Sequence, residues 1–228
     1  MRIINEALNE ELFQKCKEEL KIKFKERCWS SSLVTWQPQL KQGISGSCMV
    51  ANVSDELGEL IHEEIRPYLP EHETIRCNFH LWQPLSGIAE HNDGHRNFGA
   101  TIYLNDEWPA NAGGWFVWED EETKQSGIHK ALIPTRNMMV LNDNHEKHWV
   151  TSIASTPPDN RCSIQIWCFD KHDMIDNIDQ DHPNESPNWI HHSKKDPKRK
   201  LKPQALRQAK GRRQALKRKY LKSAFLIV

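Results

Sequence analysis

His91-Asn92-Asp93, with His148 55 positions after the aspartate, could do metal chemistry. Two imidazoles and one carboxylate can hold a ferrous ion on one face and leave three octahedral positions open. The H-x-D spacing has a structural reason. Residues i and i+2 of a strand share a face, so His91 and Asp93 can reach one metal from a single strand end. His148 must then come from a strand folded alongside. Taken alone, the triplet also reads as a solvated turn at Asn92-Asp93-Gly94.

Three features in the right order support the metal reading. Gly99-Ala-Thr-Ile-Tyr-Leu-Asn105 has the character of a strand just after the first two ligands. Gly113-Gly114 leads into the aromatic strand Trp115-Phe-Val-Trp118. Arg161-Cys162-Ser163 opens a strand 13 residues past His148. An arginine fork holds a carboxylate bidentately and keeps its charge when buried. Ser163, on the same strand face, can add a hydroxyl. A 2-oxo acid could chelate iron through its ketone and near carboxylate while Arg161 takes the far carboxylate. 2-Oxoglutarate has that shape. The competing reading of Arg161 is a surface ion pair on an edge strand.

From about Ile75 to Asp170 the chain resembles the Fe(II)/2-oxoglutarate-dependent dioxygenases, in particular the prolyl-hydroxylase-like branch. The matching stretches are His91-x-Asp93, Ile-Tyr103-Leu-Asn105, Gly113-Gly114, Met-Met-Val-Leu141 before His148-x-Val150-Thr, and Asn160-Arg161-Cys-Ser163 through Trp167. The resemblance implies a double-stranded β-helix core, of jelly-roll or cupin-like kind. It implies His91, Asp93 and His148 as iron ligands, Arg161 as the partner of the distal carboxylate of 2-oxoglutarate, and Tyr103 as a hydrogen-bond donor to it. Fe(II), 2-oxoglutarate and O₂ are the implied reactants, with ascorbate as an accessory reductant. Asp93 stands where halogenating relatives carry a small residue, which favours hydroxylation. DNA-repair relatives carry a second arginine six positions after the first, and here that position is Trp167. The motifs specify chemistry and leave the substrate open: a prolyl residue in a peptide or protein, or a free amino acid. A non-catalytic cupin-like metal-binding protein is the competing class.

Asn144-His145-Glu-Lys-His148 offers two imidazoles. The family pattern, with the ligand just before a short Val-Thr-x-Ile strand, selects His148 and leaves His145 on the preceding turn. His95, Arg96, Trp115 and Trp118 are candidates for lining the substrate pocket.

The surrounding chain must position these groups. Leu8, Leu12, Cys16, Leu20 and Phe24, spaced by four, predict a helix from Asn5 to about Lys25. Ser54-Asp55 predicts the cap of a second helix running to about Ile65 before Pro67. Ser30–Ser47 is turn-rich and is expected to cross the mouth of the domain. Short strands are expected at 75–83, 98–105, 115–119, 130–134, 137–142, 148–154 and 161–169. The expected organisation is therefore mainly β with flanking helices: helical support over 1–72, the catalytic core over 73–172, a Pro-, Asn- and His-rich linker over 173–193, and a basic tail over 194–228.

The chain of 228 residues is neutral overall, with 31 basic and 31 acidic residues. That balance hides a division. Lys194–Lys222 holds 14 Lys/Arg and one acid, 14 − 1 = +13, leaving 17 − 30 = −13 for the remainder. The tail reads as a solvated charge run, as an arm for nucleic acid or the ribosome, or as a contact for an anionic membrane surface through Ala-Phe-Leu-Ile-Val at 224–228. Six cysteines without a C-x-x-C pair, no apolar run long enough to span a membrane, and a charged N-terminal stretch predict a cytoplasmic protein with free thiols.

Overall fold

The computed structural model describes residues 1–31, 40, 44–72, 74–93, 98–119, 126–143, 146–169 and 190–191. By internal contacts the chain divides into residues 1–192 and 193–228. The second unit, with the basic tail, lies outside the described residues, as does most of the 30–47 segment.

Two antiparallel sheets form the core. The larger has the order β1 (Arg2–Ile4), β9 (Met139–Asp143), β6 (Phe98–Tyr103), β11 (Arg161–Phe169), β4 (Thr74–Trp82), β3 (Cys48–Asn52), β2 (Ser30–Ser31), with β12 (Ile190–His191) also paired to β4. The smaller has the order β5 (Ile88–His91), β10 (His148–Val150), β7 (Phe116–Glu119), β8 (His129–Leu132). This is the mostly β architecture expected of a double-stranded β-helix, with helices on one side.

Alternation along β4 explains the layering. Ile75, Cys77, Phe79 and Leu81 pack with Ile102 of β6 and Ile164 and Ile166 of β11 in one apolar cluster. Leu12, Phe13 and Cys16 of α1 (Glu10–Glu26) and Leu57, Ile61 and Ile65 of α2 (Asp55–Ile65) complete that cluster, so the helices cover this face of the larger sheet. The opposite face contributes Trp82, Tyr103 and Val140 to a second cluster with Phe116, Trp118 and Val150 of the smaller sheet. The site residues sit in this second layer, between the sheets.

The helices follow their capping residues. Ser54 caps α2 by accepting from the Leu57 amide, and α2 ends at Ile65, ahead of Pro67, as expected. For α1 the structure moves the predicted start from Asn5 to Glu10. Asn9 accepts from the Leu12 amide, while the backbone before it is committed elsewhere: Glu6 has φ 51° and the Ala7 amide donates to Asn137 O at 2.9 Å. The four-residue spacing overstated the buried stripe as well. At 3.6 residues per turn each four-residue step overshoots by about 40°, so Leu12 and Cys16 are buried while Phe24 is 58% exposed.

Four strands escaped the sequence reading, among them β2, which pairs with β3 at Ser30↔Val50 and Ser31↔Met49. β1 pairs with β9, β3 pairs with β4 over Cys48↔Trp82 to Asn52↔Asn78, and β12 pairs with β4 at Ile190↔Ile75 and His191↔Thr74. Residues 1–72 thus supply strands as well as helices, and the segment 173–193 carries β12.

Candidate active site

The smaller sheet brings the two histidines together. β10 pairs with β5 so that His148 lies opposite His91, and with β7 so that His148 lies opposite Trp118. The imidazole centroids are 4.4 Å apart. Asp93, two residues past the end of β5, sits between them, with Oδ1 4.0 Å from His91 Nε2 and Oδ2 3.7 Å from His148 Nε2. One donor atom from each of the three residues falls within 4.8 Å of the others.

Neighbouring groups hold this set for metal binding. His91 Nδ1 lies 2.8 Å from Ala89 O, and His148 Nδ1 lies 2.8 Å from Glu146 O. A carbonyl only accepts, so each Nδ1 carries the proton and each neutral ring presents Nε2 as a ligand atom. Asn142 Nδ2 donates to Asp93 Oδ2 at 3.0 Å, and Phe116 stacks on His148 at 5.2 Å and 17°. Gly99 makes room: a Cβ there would stand 3.0 Å from Asp93 Oδ2 and 3.1 Å from Asn142 Oδ1. Two oriented imidazoles and one oriented carboxylate suit a divalent ion with N,O preference, ferrous iron included.

Further along the inter-sheet layer Arg161 places a buried positive charge. Arg161 opens β11 in register with Trp82, and Ser163 is in register with Tyr103. The guanidinium carbon is 5.1 Å from both the Trp82 and Tyr103 ring centroids, and Trp82 Nε1 donates to Ser163 Oγ at 3.4 Å. Arg161 is 1% exposed, and among the described residues its three guanidinium nitrogens and the Tyr103 hydroxyl have no hydrogen-bond partner. Burial pulls the arginine's pKa below its usual value, against the opposing influence of the Tyr103 hydroxyl. Burial pushes the Tyr103 phenol up to about 12, with Arg161 working the other way.

A buried cation without a partner costs several kcal/mol, a cost that an anion held beside Arg161 would offset. The donor set of one guanidinium, one phenol and one nearby serine hydroxyl suits the far carboxylate of a 2-oxo diacid.

Two motif elements now have physical roles. Asn105 braces the start of β11: its Oδ1 accepts from the Cys162 amide at 2.7 Å and its Nδ2 donates to Asn160 O at 2.9 Å. Gly114 has φ 66°, and a Cβ there would lie 2.9 Å from Arg161 Cδ, so the glycine lets the turn close over the arginine.

Of the candidate substrate-pocket residues, Trp118 is buried in the inter-sheet cluster, and Trp115 donates its indole N–H to Ala110 O at 2.8 Å. His95, Arg96 and His145 lie outside the described residues. Asn142 and Phe116 were missed. Asn142 immediately follows the quoted Met-Met-Val-Leu141 stretch, and only its register opposite Gly99 in the folded sheet reveals it.

Residues 75–169 match the family model described as the 2OG-Fe(II) oxygenase superfamily. Among solved structures, a Pseudomonas putida prolyl-4-hydroxylase superposes with a TM-score of 0.54 at 16% identity, over 75% of this chain and 92% of that one. A Trichoplax adhaerens prolyl hydroxylase, solved with a hypoxia inducible factor oxygen degradation domain peptide fragment, gives 0.58 at 16% identity, over 75% and 84%. An epimerase from nogalamycin biosynthesis, solved with Fe³⁺, α-ketoglutarate and nogalamycin RO, gives 0.53 at 12% identity, over 74% and 78%. These likenesses establish the fold. No curated protein matches the chain. Residues 75–169 thus resemble the 2OG-Fe(II) oxygenase superfamily, whose members use Fe(II) and 2-oxoglutarate, and this likeness indicates an enzyme of the dioxygenase class.

Proposed function

We propose that the protein is an Fe(II)- and 2-oxoglutarate-dependent hydroxylase acting on a C–H bond of a prolyl residue in a peptide or protein, or of a free amino acid. The carrying observation is the buried Arg161 guanidinium, with three unpartnered nitrogens, in the same inter-sheet layer as the His91–Asp93–His148 set. Iron bound there, with 2-oxoglutarate and O₂, would supply the oxidising chemistry that inserts one oxygen atom into substrate while 2-oxoglutarate becomes succinate and CO₂.

The chain's own residues do the rest. His91 and His148 offer Nε2 because Ala89 O and Glu146 O hold the proton on Nδ1. Asp93 supplies the negative charge, oriented by Asn142. Arg161, Tyr103 and Ser163 hold the far carboxylate of 2-oxoglutarate and so fix its orientation. The two aromatic-rich sheet faces keep water from this layer, which strengthens each polar contact inside it.

Ascorbate is the proposed accessory reductant and the cytoplasm the proposed location; among the described residues no helix is long and apolar enough to cross a membrane. The +13 segment Lys194–Lys222 supports a second reading of the partner, in which the oxygenase is held at nucleic acid or the ribosome.

The test is succinate formation from 2-oxoglutarate under Fe(II) and O₂, screened against proline-containing peptides and free amino acids. Turnover stimulated by one pool, and absent in Asp93→Ala, is expected. Stoichiometric iron binding with no succinate under any condition would reduce the protein to a metal binder.

A further inference from the structure

β11 runs through the middle of the larger sheet, paired to β4 on one side and to β6 on the other. Every other residue of this strand is buried, and Gln165 alone is half-buried. A strand paired along both edges can be open only through one of its faces. Ile164 and Ile166, both 0% exposed, close the helix side. Gln165 alternates with them, so it borders space on the inter-sheet side.

Residues in register cross this inner face in rows. Ser163 lies opposite Tyr103, Gln165 opposite Thr101, and Trp167 opposite Gly99. The first row belongs to the Arg161 site. The third reaches the triad, because a Cβ on Gly99 would stand 3.0 Å from Asp93 Oδ2. The Thr101–Gln165 row therefore lies between the two, at the one point where β11 is left open.

Gln165 is oriented at that point. Thr101, 5% exposed, donates its hydroxyl to Gln165 Oε1 at 2.7 Å. With the oxygen committed, the amide presents Nε2, which makes no hydrogen bond to a described residue. An amide nitrogen only donates, and its strongest partner is a charged oxygen.

The spacing of the rows suits the cosubstrate. Two residues of a strand advance about 6.7 Å, and the carboxyl carbons of an extended five-carbon diacid are about 5 Å apart. With its far carboxylate at Arg161, Tyr103 and Ser163, 2-oxoglutarate directed toward the triad brings its near carboxylate within reach of the Gln165 amide.

Resting on the cosubstrate reading above, we propose that Gln165, oriented by Thr101, binds the near carboxylate of 2-oxoglutarate by donating Nε2–H to it. The guanidinium then holds one end of the diacid and the amide the other. Together they select its length and fix its rotation about the long axis.

Anaerobic calorimetric titration of the Fe(II)-loaded full-length protein with 2-oxoglutarate tests this. Gln165→Leu should bind about tenfold or more weakly than wild type, with Fe(II) affinity and the Tm of the metal-free protein little changed. Gln165→Glu keeps the size and the acceptor for Thr101 but sets an anionic oxygen against the carboxylate. It should bind more weakly still, whereas a merely space-filling role predicts that Glu is tolerated better than Leu. Thr101→Val, which releases the amide, should fall between wild type and Gln165→Leu. Failure of wild type to bind 2-oxoglutarate would sink the cosubstrate reading and this role with it. Binding by wild type that is unchanged in Gln165→Leu, or better kept in Gln165→Glu than in Gln165→Leu, overturns only the role given to Gln165.

Discussion

Asn142, on β9 of the larger sheet, and Asp93, two residues past β5 of the smaller, are coupled: the amide Nδ2 of Asn142 donates to Asp93 Oδ2 at 3.0 Å, in the space left by Gly99. Asp93 Oδ2 is also the oxygen 3.7 Å from His148 Nε2. Asn142 is 1% exposed, so no water replaces it easily. It therefore acts as a positioning residue for the one anionic member of the set.

Asn142→Ala should lower Fe(II) affinity by about 10- to 100-fold, the usual cost of losing a group that orients a metal ligand. A smaller loss of 2-oxoglutarate affinity at saturating iron should accompany it, since the Arg161 pocket is untouched. Titration of the anaerobic apo-protein with Fe(II) measures the first effect. Unchanged iron affinity would show that the hydrogen bond does not orient Asp93.

Arg161 should display opposite effects with and without its anion. In the absence of 2-oxoglutarate its buried, unpartnered charge is a cost. Arg161→Met, which keeps the length and removes the charge, should raise the Tm of the metal-free protein. With 2-oxoglutarate present, wild type gains stability by ligand binding and the variant should gain almost none. The lost binding energy should be on the order of 2–5 kcal/mol. Thermal melts with and without 2-oxoglutarate and Fe(II) decide it, and equal ligand-induced shifts in both proteins would place the carboxylate elsewhere.

The legibility of this site has a physical pattern. The proposed triad and Arg161 site are legible in the sequence because metal ligation and carboxylate binding would demand particular side chains at spacings set by strands. Asn105 and Gly114 were visible only as motif letters; their roles, bracing the Cys162 amide and clearing Arg161 Cδ, depend on residues distant in sequence. Asn142 carried no local signal, since a buried asparagine next to an apolar strand is ambiguous until the strand order places it beside Asp93. The edge strands β1 and β12 are three and two residues long, too short for periodicity to reveal. The start of α1 was misplaced because the hydrophobic spacing extends upstream of the capping residue Asn9, which alone marks the boundary.

Gly114→Ala should damage the cosubstrate pocket through the backbone. At φ 66° an alanine is strained, by about 1–3 kcal/mol, and its Cβ would press on Arg161 Cδ at 2.9 Å. The KM for 2-oxoglutarate should rise, while Fe(II) affinity stays near wild type because Gly114 touches neither imidazole. A loss confined to iron binding would contradict this division of the site.

Stability should fall in alkali through the buried thiols. Burial raises the Cys16 thiol from 9.0 to about 12, with Glu19 adding to the effect. The unfolded chain releases this proton from about pH 8.5 upward, whereas the fold holds it protonated. The contribution is therefore complete below the unfolded value and is lost as pH rises toward 12, by at most about 1.4 kcal/mol per pH unit for this thiol. Cys16→Ala should be less stable at pH 7, because it leaves a small cavity, yet should show a shallower decline between pH 9 and 11. Denaturant unfolding at several pH values measures both slopes, and parallel declines would remove Cys16 as a cause.

The tail prediction depends on where the chain is cut. The triad and the Arg161 pocket end at Ser163, but β12 at Ile190–His191 pairs with β4, the central neighbour of β11. Truncation after His192, at the boundary between the two units, preserves that pairing. It should leave folding and substrate-uncoupled 2-oxoglutarate turnover within about twofold of the full chain, since no described site residue is lost. Removing Lys194–Lys222 also takes the net charge of what remains to −13 or thereabouts, from the arithmetic above. If the tail docks on nucleic acid, the full-length protein should bind RNA with an affinity that falls steeply between about 50 and 200 mM salt, and the truncated protein should not bind. Salt-independent binding, or equal binding by the truncated form, would assign the contact to the acidic body and leave the basic segment without a role in it.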